Sequence, residues 1–236
     1  MSEWKAKRFW KEATVRSVED GFGIALDGRP VKTPAKRALV VPSAGFAEAI
    51  AAEWDAQGDV VDPLSMPFTR SANAALDKVA LQHGEVADML AAYGDSDLLC
   101  YRAEYPQALI DRQAEQWDPF LEWAAEVLNA RLQSQSGVMH QPQSLEALSQ
   151  LSNRVHDLSA FELAAFHDLV SLSGSLILGF AAAHDFGSPK ALWKISRLDE
   201  IWQAEEWGED EEAEAAAAIK EQAFLHAKQV FDLSRA

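Results

Sequence analysis

Cysteine and positive charge are both scarce in this chain of 236 residues. Cys100 is the only cysteine, so neither a disulfide framework nor a cysteine-based zinc site can form within one chain. Lysine and arginine number 21 against 37 aspartate and glutamate residues, which gives a formal net charge of −16. Such a surface repels phosphate backbones and anionic lipids. We therefore expect neither a nucleic-acid binder nor a membrane-surface protein.

Long hydrophobic runs are also lacking. The most apolar stretch, residues 169–183, contains three serines and two glycines, and it is shorter than the roughly 20 residues that a bilayer span needs. It is interpreted as a buried helix, without membrane insertion. The first residues show no signal-peptide core, and they contain Glu3 and Glu12, whereas transit peptides avoid acids. Together with the single cysteine, this predicts an intracellular, cytoplasmic protein.

Motifs that carry catalysis are missing as well. The sequence has no glycine-rich phosphate loop and no serine nucleophile elbow, so we predict no enzyme activity, no cofactor and no metal. His156, His167 and His184 each precede an aspartate. Adjacent residues of a helix point about 100° apart, so these dipeptides are not expected to form His–Asp pairs. A small intracellular enzyme with a carboxylate and histidine site in the helical part stays the alternative.

The hydrophobic pattern predicts an α+β protein. Residues 14–18 and 23–26 read as strands around an Asp-Gly turn, and 31–33 and 38–42 as further short strands. From Ser43 the apolar residues recur at helical spacing through Trp54, and nearly everything after residue 84 is helical. We predict a small β-rich N-terminal domain with a few helices, residues 1–80, followed by an all-α domain, residues 81–236. Abundant charge and the lack of a heptad seam favour a monomer.

One predicted helix, residues 189–208, has two distinct faces. Trp193, Glu200 and Trp207 are seven residues apart and share one face, whereas Ile195, Leu198 and Trp202 form another stripe. Exposed tryptophan beside carboxylates is typical of an interface hot spot, although both stripes can also be buried between helices. The acidic run that follows, residues 205–214, is either a solvated helix start or a docking surface for a basic partner.

Several long segments resemble one known family. They are EWDAQGDVVDPLSMPFTRSANAALD (53–77), SDLLCYRAEYPQALIDRQAEQWDPFLEW (96–123) and SRLDEIWQAEEWGEDEEAE (196–214), and the opening KRFWKEATV is similar too. These motifs resemble the ATP-twelve family, assembly chaperones of the ATP synthase α subunit, and they come in the family's order.

The resemblance implies a chaperone without catalytic activity that binds the free α subunit and prevents its aggregation before the β subunit arrives. It assigns the family's functional acidic position to Asp199, with Glu200 beside it. Together with the tryptophans of the face described above, this makes Trp193, Asp199, Glu200 and Trp207 the predicted partner-binding residues. It places the EWD motif on Glu53, Trp54 and Asp55, to which we give a structural role, with Trp54 packing the first helix on the sheet. Mitochondrial members carry transit sequences, so a bacterial cytoplasm is the expected compartment here.

Overall fold

The computed structural model describes residues 7–235 and consists of two compact units. The first unit comprises the chain up to residue 83 together with residues 159–165 and those from 229 onward, and the second comprises residues 84–158 and 166–228. A small sheet lies near the N-terminus and helices make up most of the remainder, so the predicted α+β class is confirmed. The domain boundary between residues 80 and 81 stays a prediction.

The sheet of the first unit is built around a hairpin. Strand β1 (Ala13–Val18) pairs antiparallel with β2 (Gly21–Leu26), and β2 also pairs with β3 (Arg29–Pro30) and β4 (Val40–Val41). Gly21 has φ +141°, and a Cβ there would lie 2.4 Å from the carbonyl oxygen of Val41. Only glycine fits this close approach between strands.

Two helices and two short 3₁₀ turns complete the first unit's N-terminal part: α1 (Ala44–Asp55), Pro63–Ser65, α2 (Pro67–Asp77) and Val79–Leu81. Ser43 caps α1, because its hydroxyl accepts a hydrogen bond from Phe46 N at 3.1 Å. Phe46 and Ile50 on α1 are fully buried, as are Ile24 and Leu39 of the sheet region. The predicted first helix is therefore confirmed in its start at Ser43 and in the burial of Phe46 and Ile50.

The helical part of the chain contains eight α-helices within the described residues, with short 3₁₀ turns at Ala92–Ser96 and Leu98–Cys100 and a two-stranded parallel pairing. The elements are α3 (His83–Ala91), β5 (Tyr101–Arg102), α4 (Gln107–Val127), β6 (Gln135–Ser136), α5 (Leu145–His156), α6 (Ala160–Ser173), α7 (Leu176–Ala183), α8 (Pro189–Ser196), α9 (Leu198–Trp207) and α10 (Glu211–Arg235). Among residues 7–235, no helix has the length and hydrophobicity needed to cross a bilayer.

The single buried helix predicted over residues 169–183 is wrong in its continuity, because α6 ends at Ser173 and α7 begins at Leu176, with Gly174 at φ +73° between them. Every residue of α7 is nevertheless buried. Asp97, itself fully buried, holds the start of this helix. Its carboxylate accepts hydrogen bonds from Ser175 Oγ at 2.7 Å, Ile177 N at 3.0 Å and Leu99 N at 3.0 Å. One side chain thereby caps two segments that are about 80 residues apart in sequence.

The single helix predicted over residues 189–208 is wrong. The chain forms α8, ends it at Ser196 and starts α9 at Leu198, with Arg197 at φ −108° and ψ 19° between them. The carbonyl of Ile195, near the end of α8, accepts a hydrogen bond from Trp117 Nε1 on α4 at 3.0 Å. A partner far away in sequence therefore holds the end of α8, and the seven-residue spacing does not produce one continuous face.

Candidate functional site

Glu53, in the EWD motif, caps the neighbouring helix. Its carboxylate accepts hydrogen bonds from Phe68 N at 2.6 Å, Thr69 N at 2.8 Å and Thr69 Oγ1 at 2.7 Å. These amides belong to the first turn of α2, where backbone N–H groups have no partner within the helix and a negative charge is favoured by the helix dipole. Desolvation by burial outweighs these hydrogen bonds and raises the pKa of Glu53.

Trp54 and Asp55 bind the first residue of β1 and the segment that precedes it. The Trp54 ring meets the Trp10 ring edge-on at 5.1 Å, and Trp10 Nε1 donates to the Trp54 carbonyl at 3.3 Å. Asp55 Oδ1 accepts from Ala13 N at 2.8 Å and lies 3.9 Å from Arg8 Nη2. All three residues of the motif thus contact other parts of the first unit, which supports the structural role that we assign to them.

The Glu53 cap leads to a stability prediction. Glu53→Ala leaves the Phe68 and Thr69 donors without their acceptor, and each unsatisfied buried donor costs about 1–3 kcal/mol. We expect the free energy of unfolding, measured by urea denaturation, to fall by about 2 kcal/mol or more. Glu48→Ala, on an exposed position of the same helix, is the control and should change it little. Equal stability of the two variants would contradict the capping role.

In the second unit, α4 holds α9 through two adjacent residues. Gln113 Nε2 donates to Asp199 Oδ1 at 2.8 Å. Arg112 binds the Glu205 carboxylate with two nitrogens, of which Nη2 lies 3.0 Å from Oε1, and its guanidinium lies 5.7 Å from the Trp202 ring centre. The hydrogen bond with Arg112 lowers the pKa of Glu205. These contacts fix α9 along its length, and they leave Glu200, Glu206 and Trp207 exposed while Leu198 is buried.

The predicted partner-binding residues separate into two groups. Trp193 is buried, at 4% exposure, and packs against Phe224 with the ring centres 5.8 Å apart. Its predicted place on an exposed face is therefore wrong, because α8 ends three residues later and its tryptophan points into the core. Trp207 is 80% exposed, Glu200 is exposed and pairs with Arg197, and half-buried Asp199 binds Gln113.

The surface around α9 is strongly acidic. Residues 199–214 contain nine carboxylates, and no lysine or arginine occurs between residues 198 and 219. Of these carboxylates, Glu205 and Glu200 have arginine partners. Trp207 lies between Glu206 and Glu209 in sequence, and all three are exposed. We name Asp199, Glu200, Trp207 and these flanking acids the α9 surface.

Arg112 and Gln113 are functional candidates that the sequence reasoning missed. Both lie on α4, more than 80 residues before their partners on α9. A weak signal was present in the segment 96–123, which contains both residues and is one of the family-like motifs. Nothing in the local pattern assigns them to α9, because their pairing depends on how the helices pack.

The alternative of an enzyme depends on the described histidines and their acidic neighbours. Within residues 7–235 no group of three or more histidine, cysteine and acidic side chains is placed to hold a metal ion. His156 bonds Asp88 at 2.8 Å, and His167 Nδ1 bonds its neighbour Asp168 at 2.9 Å. The expectation that adjacent His–Asp residues do not pair is therefore wrong for residues 167 and 168, where the flexible side chains bend towards each other. Burial raises the pKa of Cys100 to about 12, which keeps the thiol protonated and unreactive.

Comparisons with known proteins give one consistent result. A family model described as "ATP12 chaperone protein" matches residues 7–125. "Protein atp12, mitochondrial" of Schizosaccharomyces pombe is 27% identical over 219 residues, which cover 88% of this chain and 75% of that protein. The crystal structure of Atp12 from Paracoccus denitrificans is 47% identical, covers 99% of this chain and 100% of that chain, and has a TM-score of 0.96. A solved structure from Agrobacterium tumefaciens is 43% identical, with coverages of 98% and 86% and a TM-score of 0.91.

Proposed function

Because the chain belongs to the ATP12 chaperone family, we propose that it is an assembly chaperone of ATP synthase that binds the free α subunit and prevents its aggregation. The α subunit exposes an apolar surface until it meets the β subunit, and a contiguous apolar surface of that kind promotes aggregation. A chaperone that covers this surface acts transiently and without catalysis. The expected compartment is a bacterial cytoplasm, and the expected free form is a monomer.

The exposed tryptophan of the α9 surface supports a binding role most directly. The side chain of Trp207 is 80% exposed and therefore contributes little to the core. Tryptophan is enriched among the residues that dominate binding energy at interfaces. Its carboxylate neighbours favour a client surface that carries basic side chains around an apolar centre. The anchoring of α9 by Arg112 and Gln113 lowers the entropy lost on binding, since the helix is already held in place.

Two variants test this surface without disturbing the fold. Glu200→Lys breaks an exposed pair with Arg197, which contributes under about 1 kcal/mol to stability, and Trp207→Ala removes a side chain that is mostly in water. We expect unchanged melting temperatures for both and binding to purified α subunit that is weaker by about tenfold or more. Binding is measured by titration, and protection by light scattering of α subunit diluted from denaturant.

Three further variants make the result interpretable. Glu122→Lys makes the same charge change at an exposed position of α4 and should protect the client as the parent does. Leu198→Ala, at a buried position, should lower the melting temperature first. Asp199→Lys should lower both stability and binding, because it also breaks the contact with Gln113. If the parent protects the α subunit and both Glu200→Lys and Trp207→Ala protect equally well, the α9 surface is not the binding site.

A further inference from the structure

The connection between α4 and α5 is a loop whose two ends are joined. Gln133 N donates to Gln143 Oε1 at 2.8 Å, and Gln143 Nε2 donates to the Gln133 carbonyl at 2.9 Å. The Gln143 side chain is buried while it makes these bonds. Residues 133–143 therefore form a compact Ω-type loop, a class of loop that is frequently functional.

Two more anchors hold this loop on either side of its tip. Asp95 accepts from Gln143 N and bonds His140 Nε2, both at 2.8 Å. On the other side, β6 pairs with β5, and Gly137 N donates to the Arg102 carbonyl at 2.9 Å. Residues 138 and 139 lie between the Gly137 and His140 anchors, so their backbone is held from both directions.

The loop presents large apolar side chains to water at this anchored tip. Val138 is 89% exposed and Met139 is 77% exposed. Glu104 borders the tip, because a Cβ at Gly137 would lie 3.4 Å from its carboxylate, and the next residue, Tyr105, is 81% exposed. Single exposed apolar residues are normal, but Val138, Met139 and Tyr105 lie on two neighbouring anchored segments, and we call these three residues the loop-tip patch.

We propose that the loop-tip patch is a second binding site for the α subunit, in addition to the α9 surface, and that it docks on an apolar surface of that subunit. This proposal rests on the proposed function. A loop that is already anchored loses little entropy when it binds, and methionine adapts to irregular apolar surfaces. The sequence from 132 to 146 contains no lysine or arginine, and Glu104 borders the tip, so charge favours a protein surface with basic side chains over an anionic lipid surface.

The test uses a double variant, Val138→Ser with Met139→Ser, and a matched control, Leu64→Ser. Leu64 is 78% exposed and lies in the first unit, so its replacement makes the same chemical change elsewhere. Both proteins should keep the parent's melting temperature. We expect the double variant to bind purified α subunit about tenfold more weakly, whereas Leu64→Ser should bind like the parent.

A crosslinking experiment locates the contact independently of affinity. A photoreactive benzoylphenylalanine at position 139 should crosslink to the α subunit, and the same group at position 64 should not. Equal binding by the double variant with no crosslink from position 139 overturns the loop-tip proposal, and crosslinks to a second copy of this chain overturn it in favour of self-association. If the parent itself does not bind the α subunit, the proposed function fails instead, so the two failures are distinguishable.

Discussion

Asp97→Ala is expected to lower the free energy of unfolding by about 3 kcal/mol or more at pH 7. Asp97 is fully buried, and its carboxylate is the acceptor for Ser175, Ile177 and Leu99. Alanine leaves three buried donors unsatisfied, each at a cost of about 1–3 kcal/mol. Alanine also removes a buried negative charge, which offsets part of this loss of stability. Without these hydrogen bonds, the start of α7 should unfold, and the core of the second unit should be destabilised with it.

The ionisation of Asp97 also makes the stability depend on pH. Burial raises the pKa of this carboxyl from 3.8 to about 6, and the hydrogen bonds to Ile177, Ser175 and Leu99 only partly oppose the shift. Between pH 3.8 and about pH 6, the Asp97 carboxyl is therefore protonated in the folded state and ionised in the unfolded state. Stability from this group is fully present below pH 3.8, is lost as the pH rises through about 6, and is constant above that.

Asp97→Asn separates the titration from the loss of hydrogen bonds. Asparagine keeps the shape and the acceptor for Leu99 and Ser175, but it does not titrate. When the pH is lowered from 7.5 to 5, the unfolding free energy of the parent should rise relative to that of this variant by about 1 kcal/mol, because about one pKa unit of the shift lies between pH 5 and the raised pKa of about 6. Urea denaturation at both pH values measures this difference in unfolding free energy. Both pH values lie above the sequence pI of about 4.7. A difference between the two proteins that does not vary with pH would rule out the raised pKa.

Local patterns predicted the parts of the fold that depend on neighbours in sequence. The hairpin of β1 and β2 follows from alternation around an Asp-Gly turn, and the start of α1 follows from Ser43 before apolar residues at helical spacing. Pro119, which has no backbone N–H to donate, lies inside α4, yet this helix runs continuously from Gln107 to Val127. Trp117 and Phe120, on either side of the proline, are both buried, so this part of α4 is packed into the core.

Long-range partners decided the parts that the sequence could not predict. The sequence placed acidic residues and Trp207 on one helix, and the structure keeps these on α9, but it buries Trp193 on a separate helix. Asp97 occurs in a family-like motif, but its role depends on Ser175, which is 78 residues away. A hydrogen bond between distant segments leaves no period in the sequence, so neither the α8–α9 break nor the α7 cap could be found by spacing.

Trp117→Ala should be the most damaging single change in the helical part, because it affects both the core and the α9 surface. Trp117 is fully buried, and its indole N–H binds the Ile195 carbonyl at the end of α8. Arg102 packs over its ring at 5.3 Å. Truncation of a buried tryptophan costs about 3–5 kcal/mol. We expect urea denaturation to show a loss of this size and the soluble yield to fall.

Trp117→Phe isolates the hydrogen bond that ends α8. Phenylalanine retains most of the buried apolar volume but removes the indole donor, so the Ile195 carbonyl keeps the Arg197 backbone N–H as a partner and loses one hydrogen bond, at a cost of about 1 kcal/mol. Because α9 begins three residues after Ile195, we expect faster amide hydrogen exchange across residues 198–207 and weaker protection of the α subunit. Trp123→Phe is the control, since Trp123 stacks on Phe186 at 5.0 Å and phenylalanine preserves that contact. Exchange across residues 198–207 that is equal in the two variants would show that the indole hydrogen bond does not position α9.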